Sequence, residues 1–162
     1  MAGLEDLYRE VILDHYRNPR NRGVLECPPA HRVEGYNPLC GDDIVLYLQV
    51  AGDVLVDIKT GGQGCSISQS STSIMSSVIK GRSVAEVITL VHQFKAMMGL
   101  EPAKGDPESQ LLLPLAPDGT PEDLSELAAL QGVVKFPVRI KCATLGWNTL
   151  AQGLGELGYS TT

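Results

Sequence analysis

The hydrophobic pattern changes period several times along the chain, and each change marks an element. Leu4, Leu7, Tyr8, Val11 and His15 recur at helical spacing and line one face of a helix that ends near the turn-forming RNPRNRG. After the loop ECPPA come three strand-like runs, HRVEGYN, DIVLYLQV and VLVDIKTG. Only Gly52-Asp53 separates the second from the third, which predicts a tight hairpin; in the third, Val54, Val56 and Ile58 alternate with Leu55, Asp57 and Lys59. Three consecutive strands with short connections make an antiparallel meander.

From Ser66 the pattern turns helical, with Ile67, Ile74, Val78 and Ile79 set among many serines and Gly81 as a stop. Ser83-Val-Ala-Glu86 is a capping box that starts the next helix, whose apolar face carries Val87, Ile88, Val91 and Phe94. Residues 99–120 hold four prolines and little periodicity, and read as an ordered excursion or a mobile loop. Thr120-Pro-Glu-Asp123 opens a short helix with Leu124, Leu127 and Ala128 on one face. A last helix, entered through FPVRIKC, bears the stripe Ala143, Trp147, Leu150, Leu154 and Leu157. The helices flank the strands instead of alternating with them. The predicted class is therefore α+β, a three-stranded antiparallel sheet with helices packed mainly on one face. With 162 residues and no internal repeat, the chain reads as one domain over 1–162 with an inserted excursion around 99–130.

Charge narrows the partners. Thirteen Lys plus Arg against nineteen Asp plus Glu leave a net charge of -6, which gives no general attraction to nucleic acid or to an anionic membrane. No stretch approaches the roughly 20 apolar residues of a membrane span, and the charged N-terminus lacks a signal-peptide core. The chain reads as cytoplasmic, where four cysteines point to thiols, metal ligands or catalysts more than to disulfides.

Three of those cysteines sit in suggestive places. In NPLCGDD, between the first two strands, Cys40 and Asp42 are two apart and project to the same side of an extended chain, with Gly41 allowing the bend that brings them together. A thiolate and a carboxylate so placed suit a metal; the same residues also suit a plain turn with a capping aspartate. In GGQGCSIS, Cys65 follows the third strand and opens a helix, where free backbone N–H groups favour a thiolate; the alternative is a small residue chosen for a tight turn. In a meander, the connection after strand one and the exit of strand three share one end of the sheet, so Cys40, Asp42 and Cys65 can meet. Cys142 stands near the start of the last helix behind Arg139 and Lys141, either as a buried small hydrophobe or as the fourth ligand of a Cys3Asp site whose negative charge those two cations would offset. Cys27, in the proline-rich loop, reads as a bystander. His15, His31 and His92 show no ligand spacing and read as structural. A cysteine hydrolase would need a base beside its thiol, and no Cys/His pair stands out.

NPLCGD, GQGCSIS and RIKCATLGW, in this order, resemble the motifs of the IscU/SufU (NifU N-terminal-like) family of iron-sulfur cluster assembly proteins, and the resemblance runs from the first helix to the last. It implies the fold read above and a metal site of Cys40, Asp42, Cys65 and Cys142. The SufU branch is the nearer one. Lys141 stands where IscU-type chains have a histidine, the excursion is absent from them, and their LPPVK motif is reduced to FPVR at Phe136 to Arg139. Resemblance to SufU implies a zinc-binding acceptor of sulfane sulfur from a cysteine desulfurase, with Cys40 as the acceptor. Resemblance to IscU implies a scaffold that transiently carries a [2Fe-2S] cluster on the same residues and passes it to downstream assembly or carrier proteins. A purely structural zinc site is the third reading.

Overall fold

The protein is described as a computed structural model over residues 2–27, 29–38, 41–98, 130, 133 and 136–159. Helix α1, Ala2–Arg17, leads through the RNPRNRG turn to strands β1, His31–Asn37, β2, Asp42–Ala51, and β3, Val54–Gln63; helices α2, Ser66–Ile79, α3, Val84–Met97, and α4, Pro137–Glu156, follow. Cys40 and almost all of the excursion around 99–130, including the short helix expected from Thr120, lie outside the described residues. The side chains of Leu4, Leu7 and Tyr8 do so too, whereas Val11 and His15 turn inward as expected.

The strands form one antiparallel sheet in the order β1-β2-β3. Gly52 and Asp53 both take left-handed backbone angles, φ 57° and 61°, which matches the turn to the strand twist. The expected alternation in β3 fails at one point. Gln49 pairs with Asp57 but Val50 with Leu55, so Val56 is an extra residue with no partner on β2. The bulge switches the side-chain parity: Leu55, Ile58 and Thr60 face the core, and Val56 is exposed. Strict period-two reading breaks there because one inserted residue moves every later side chain to the other face.

β3 lies at a sheet edge, and neighbouring turns bond its outward backbone near both ends. Near its end, Gly23 N–H donates to Thr60 O at 3.0 Å and Thr60 N–H to Asn21 O at 2.8 Å; near its start, Leu55 N–H donates to Arg82 O and Leu55 O accepts from Gly81 N–H. The turns after α1 and after α2 therefore close the edge against stray pairing.

Ile44, Leu46, Leu48, Leu55 and Ile58 present the sheet's inner face to the helices, and Phe94 stacks on Trp147 with ring centroids 4.4 Å apart. α2 occupies the centre, packed on α1, β3 and α4. It is buried on nearly every side, so its serines are core residues and not a solvated face. Burial is tolerated because the hydroxyls are bonded. Ser71 Oγ donates to Ala143 O at 2.6 Å and accepts from Trp147 Nε1, while Ser73 Oγ meets His15 Nδ1 at 2.7 Å and accepts from the Arg20 backbone N–H. Thr72 Oγ1 and Ser76 Oγ bond back to carbonyls of their own helix. Small side chains also let helices approach closely: a Cβ on Gly146 of α4 would lie 2.5 Å from Thr72 Oγ1.

α3 is capped as its sequence predicts, with Glu86 N–H donating to Ser83 Oγ at 3.2 Å. The last helix begins earlier than the apolar stripe suggests. Pro137, at its first positions, presets the helical φ, and the FPVRIKC entry is itself helical from there.

Ser71→Ala removes the acceptor of the Trp147 indole and the donor to Ala143 O, both in the core. It should lower stability by about 1–3 kcal/mol, the usual effect of stranding buried partners. Urea denaturation reads this directly, and an unchanged midpoint would show that the α2–α4 contact rests on packing alone.

Candidate metal centre

Asp42 is the first residue of β2, paired with Asn37, and is fully buried. A buried carboxylate needs compensating donors. It finds one at the N-terminus of α2: Cys65 N–H donates to Asp42 Oδ1 at 2.9 Å, and the positive end of the helix dipole favours the anion there. Cys65 itself is the N-cap, with extended backbone angles, and its sulfur takes the place usually held by a hydroxyl by accepting from Ser68 N–H at 3.4 Å. The thiol is half-buried and lies 3.9 Å from Asp42 Oδ2.

Two glycines of GGQGCSIS are required by this geometry. Gly62 has φ 99°, a left-handed angle in which an added Cβ would run into the Asp43 carbonyl. A Cβ on Gly64 would come within 2.6 Å of Asp42 Oδ1 and 2.5 Å of Ser68 Oγ. The glycine at 64 therefore makes room for the carboxylate.

Cys142 arrives from α4. The Ser71–Ala143 bond and the close passage of Gly146 over Thr72 hold this helix against α2, and Cys142 is buried at their junction. One ligand atom each from Asp42, Cys65 and Cys142 lies within 4.8 Å of the other two. Zinc bonds of about 2.3 Å to sulfur and 2.0 Å to oxygen at tetrahedral angles place ligand atoms about 3.5–3.8 Å apart, so a small contraction of this cluster suits a thiolate-bound metal.

Arg139 precedes Cys142 by three residues and shares its helix face. The Cys65 charge first, then a hydrogen bond to Cys142 and its charge, push the Arg139 guanidinium further above its usual range, so this exposed cation stands over both sulfurs. Lys141 is also exposed but lies about 100° around the helix from Cys142. Cys27 is exposed, its thiol near Leu25 O. The histidines serve elsewhere: His15 is buried on Ser73, His31 pairs with Glu156 at 2.7 Å, and His92 sits within α3.

Sequence reasoning missed Gly64 as a spacer and the Asp42–Cys65 backbone bond. The glycine run signalled a special turn; which glycine faces the carboxylate depends on the fold.

Gly64→Ala should weaken zinc binding by about 10-fold or more, as loss of support around a ligand commonly does. Gly61→Ala, whose Cβ would find only an ordinary 3.9 Å contact with Val45, serves as the control. Equal affinities for the two variants in chelator competition would show that the Asp42 position is not what holds the metal.

Comparison with known proteins places the chain in a family. The NifU-like N terminal domain family matches residues 7–112. A Bacillus subtilis protein named zinc-dependent sulfurtransferase SufU is 42% identical over 155 residues, covering 96% of this chain and 94% of its own. A Streptococcus pyogenes protein named iron-sulfur cluster assembly scaffold protein IscU is 36% identical, covering 95% of this chain and 86% of its own. Among solved structures, a Fervidobacterium islandicum protein described as a putative iron-sulfur cluster assembly scaffold for the SUF system superposes with a TM-score of 0.71 at 31% identity, covering 90% of this chain and 94% of its own. On motif order, fold and extent of match, the chain belongs to the IscU/SufU family of NifU-like N-terminal domains.

Proposed function

We propose that this protein acts in iron-sulfur cluster assembly as a zinc-binding acceptor of sulfane sulfur from a cysteine desulfurase. One observation carries the reading: the convergence of the Asp42 carboxylate with the Cys65 and Cys142 thiols under the Arg139 guanidinium. Cys40, two residues before Asp42 in sequence, completes a Cys3Asp donor set. Such a set suits zinc, and Arg139 offsets part of its net negative charge. When bound, zinc keeps its thiol ligands deprotonated at neutral pH. The SufU relative, described as zinc-dependent and as a sulfurtransferase, supports both halves of the reading.

Cys40 is the acceptor. Its thiolate attacks the terminal sulfur of the desulfurase persulfide; that S–S bond breaks, the enzyme's cysteine leaves as a thiolate, and a new S–S bond forms on Cys40. Asp42, Cys65 and Cys142 remain to hold the metal. Arg139 belongs to the supporting charge, and exposed Lys141 adds positive charge to the surrounding surface. Downstream, assembly or carrier proteins take the sulfur or the finished cluster.

The IscU relatives favour a second reading, in which the same four residues transiently hold a [2Fe-2S] cluster as cargo. One carboxylate among thiolates would be the weaker ligand and would ease hand-off.

Protein purified without oxygen should contain about one zinc per chain, the content of a four-ligand site, should lack acid-labile sulfide, and should activate a cysteine desulfurase. Equal iron and sulfide with little activation would move the assignment to the scaffold. Cys40→Ala should abolish activation while keeping part of the zinc affinity; full activation by this variant would remove Cys40 from the acceptor role.

A further inference from the structure

The turn that carries Cys65 is the most permissive stretch of the site, with glycines at 61, 62 and 64, and ordering it takes tethers. Asp42 supplies one, from β2. A second comes from the other side. Arg22, in the turn after α1, donates from Nη2 to Gly62 O at 2.5 Å and from Nη1 to Gln69 Oε1 at 2.9 Å. Gly62 lies three residues before Cys65 and Gln69 four after it, one helical turn on. The two anchors of a single planar guanidinium thus bracket the thiol.

Arg22 is itself fixed. The bonds of Asn21 O and Gly23 N–H to Thr60 hold the backbone on either side of it against β3, two residues upstream of Gly62. The fork therefore sets the spacing between the end of β3 and the first turns of α2. Arginine is suited to this because its donors lie in one rigid plane.

Gln69 gives an independent sign that this contact is kept for a purpose other than packing. It is buried, Arg22 can only donate, and so the atom facing Arg22 is the amide oxygen; the amide nitrogen at the other end is buried and finds no partner among the described residues. An apolar residue at 69 would remove that unsatisfied donor. A glutamine here carries the cost of that donor and gains the bond to Arg22.

We propose that Arg22, acting through Gly62 O and Gln69, is a positioning residue that holds Cys65 in register with Asp42 and Cys142 for metal binding. The inference rests on the reading of these three residues as metal ligands. It adds a residue from the connection after α1, outside the three cysteine motifs.

The test compares wild type, Arg22→Met, Arg22→Lys and Gln69→Leu in two measurements, zinc affinity by competition with a chromophoric chelator and the melting temperature of the metal-free protein. Arg22→Met and Gln69→Leu should each weaken zinc binding by about 10-fold or more, the range for residues that orient ligands. Arg22→Lys, which keeps a donor and the charge, should recover part of the loss. Metal-free Gln69→Leu should melt no lower than wild type, since its buried orphan is gone; that splits affinity from stability in a way that a structural contact would not. Wild-type zinc affinity in both Arg22→Met and Gln69→Leu would overturn the proposal. So would a loss in Gln69→Leu that simply follows a lower melting temperature. Failure of the wild-type protein to bind zinc would instead overturn the metal-site reading, and this inference with it.

Discussion

The burial of α2 on nearly every side is the constraint on which the rest depends. A helix in that position must be thin enough for three neighbours to approach, and each polar group left without a partner in it costs stability. Serine and threonine meet both demands, because their hydroxyls bond either back to their own helix or across to α1 and α4. Those cross-bonds are directional, so they fix where the neighbouring helices sit along α2 as well as how close they come. An all-aliphatic α2 would bury well and specify the register less.

Register along α2 is what builds the site. Ser71 fixes Ala143, and the adjacent Cys142 is thereby held at the level of the helix's first turn. At that same level the N-terminus of α2 offers its backbone N–H groups and its dipole to the Asp42 carboxylate and the Cys65 sulfur. Three potentially anionic groups in one small volume repel each other. The helix terminus and Arg139 are the compensating positive features, and a divalent cation is the natural third.

The site also divides labour between rigid and permissive backbone. Asp42 stands on a strand and Cys142 on a helix, both well inside the core, whereas Cys65 stands where β3 gives way to α2 through a glycine-rich turn. Two of the three converging groups are thus held by rigid elements and one by a permissive turn. The exposed Arg139 marks the open side.

The amino-acid sequence by itself determined the element order, the tight turn at Gly52-Asp53, the capped start of α3 and the three cysteine motifs, because each is written in local spacing and in backbone preference. The motif order also carried the family. The tertiary structure alone decided what depends on residues distant in the chain: the β3 bulge that exposes Val56, the burial of the serine-rich face, Gly64 against the Asp42 carboxylate, and Arg22 against Gly62 and Gln69. A serine among apolar residues reads the same in solvent and in a core whose acceptors lie seventy-two positions away, as Ala143 lies from Ser71. Local pattern records what a residue prefers; only packing supplies the partner that satisfies it.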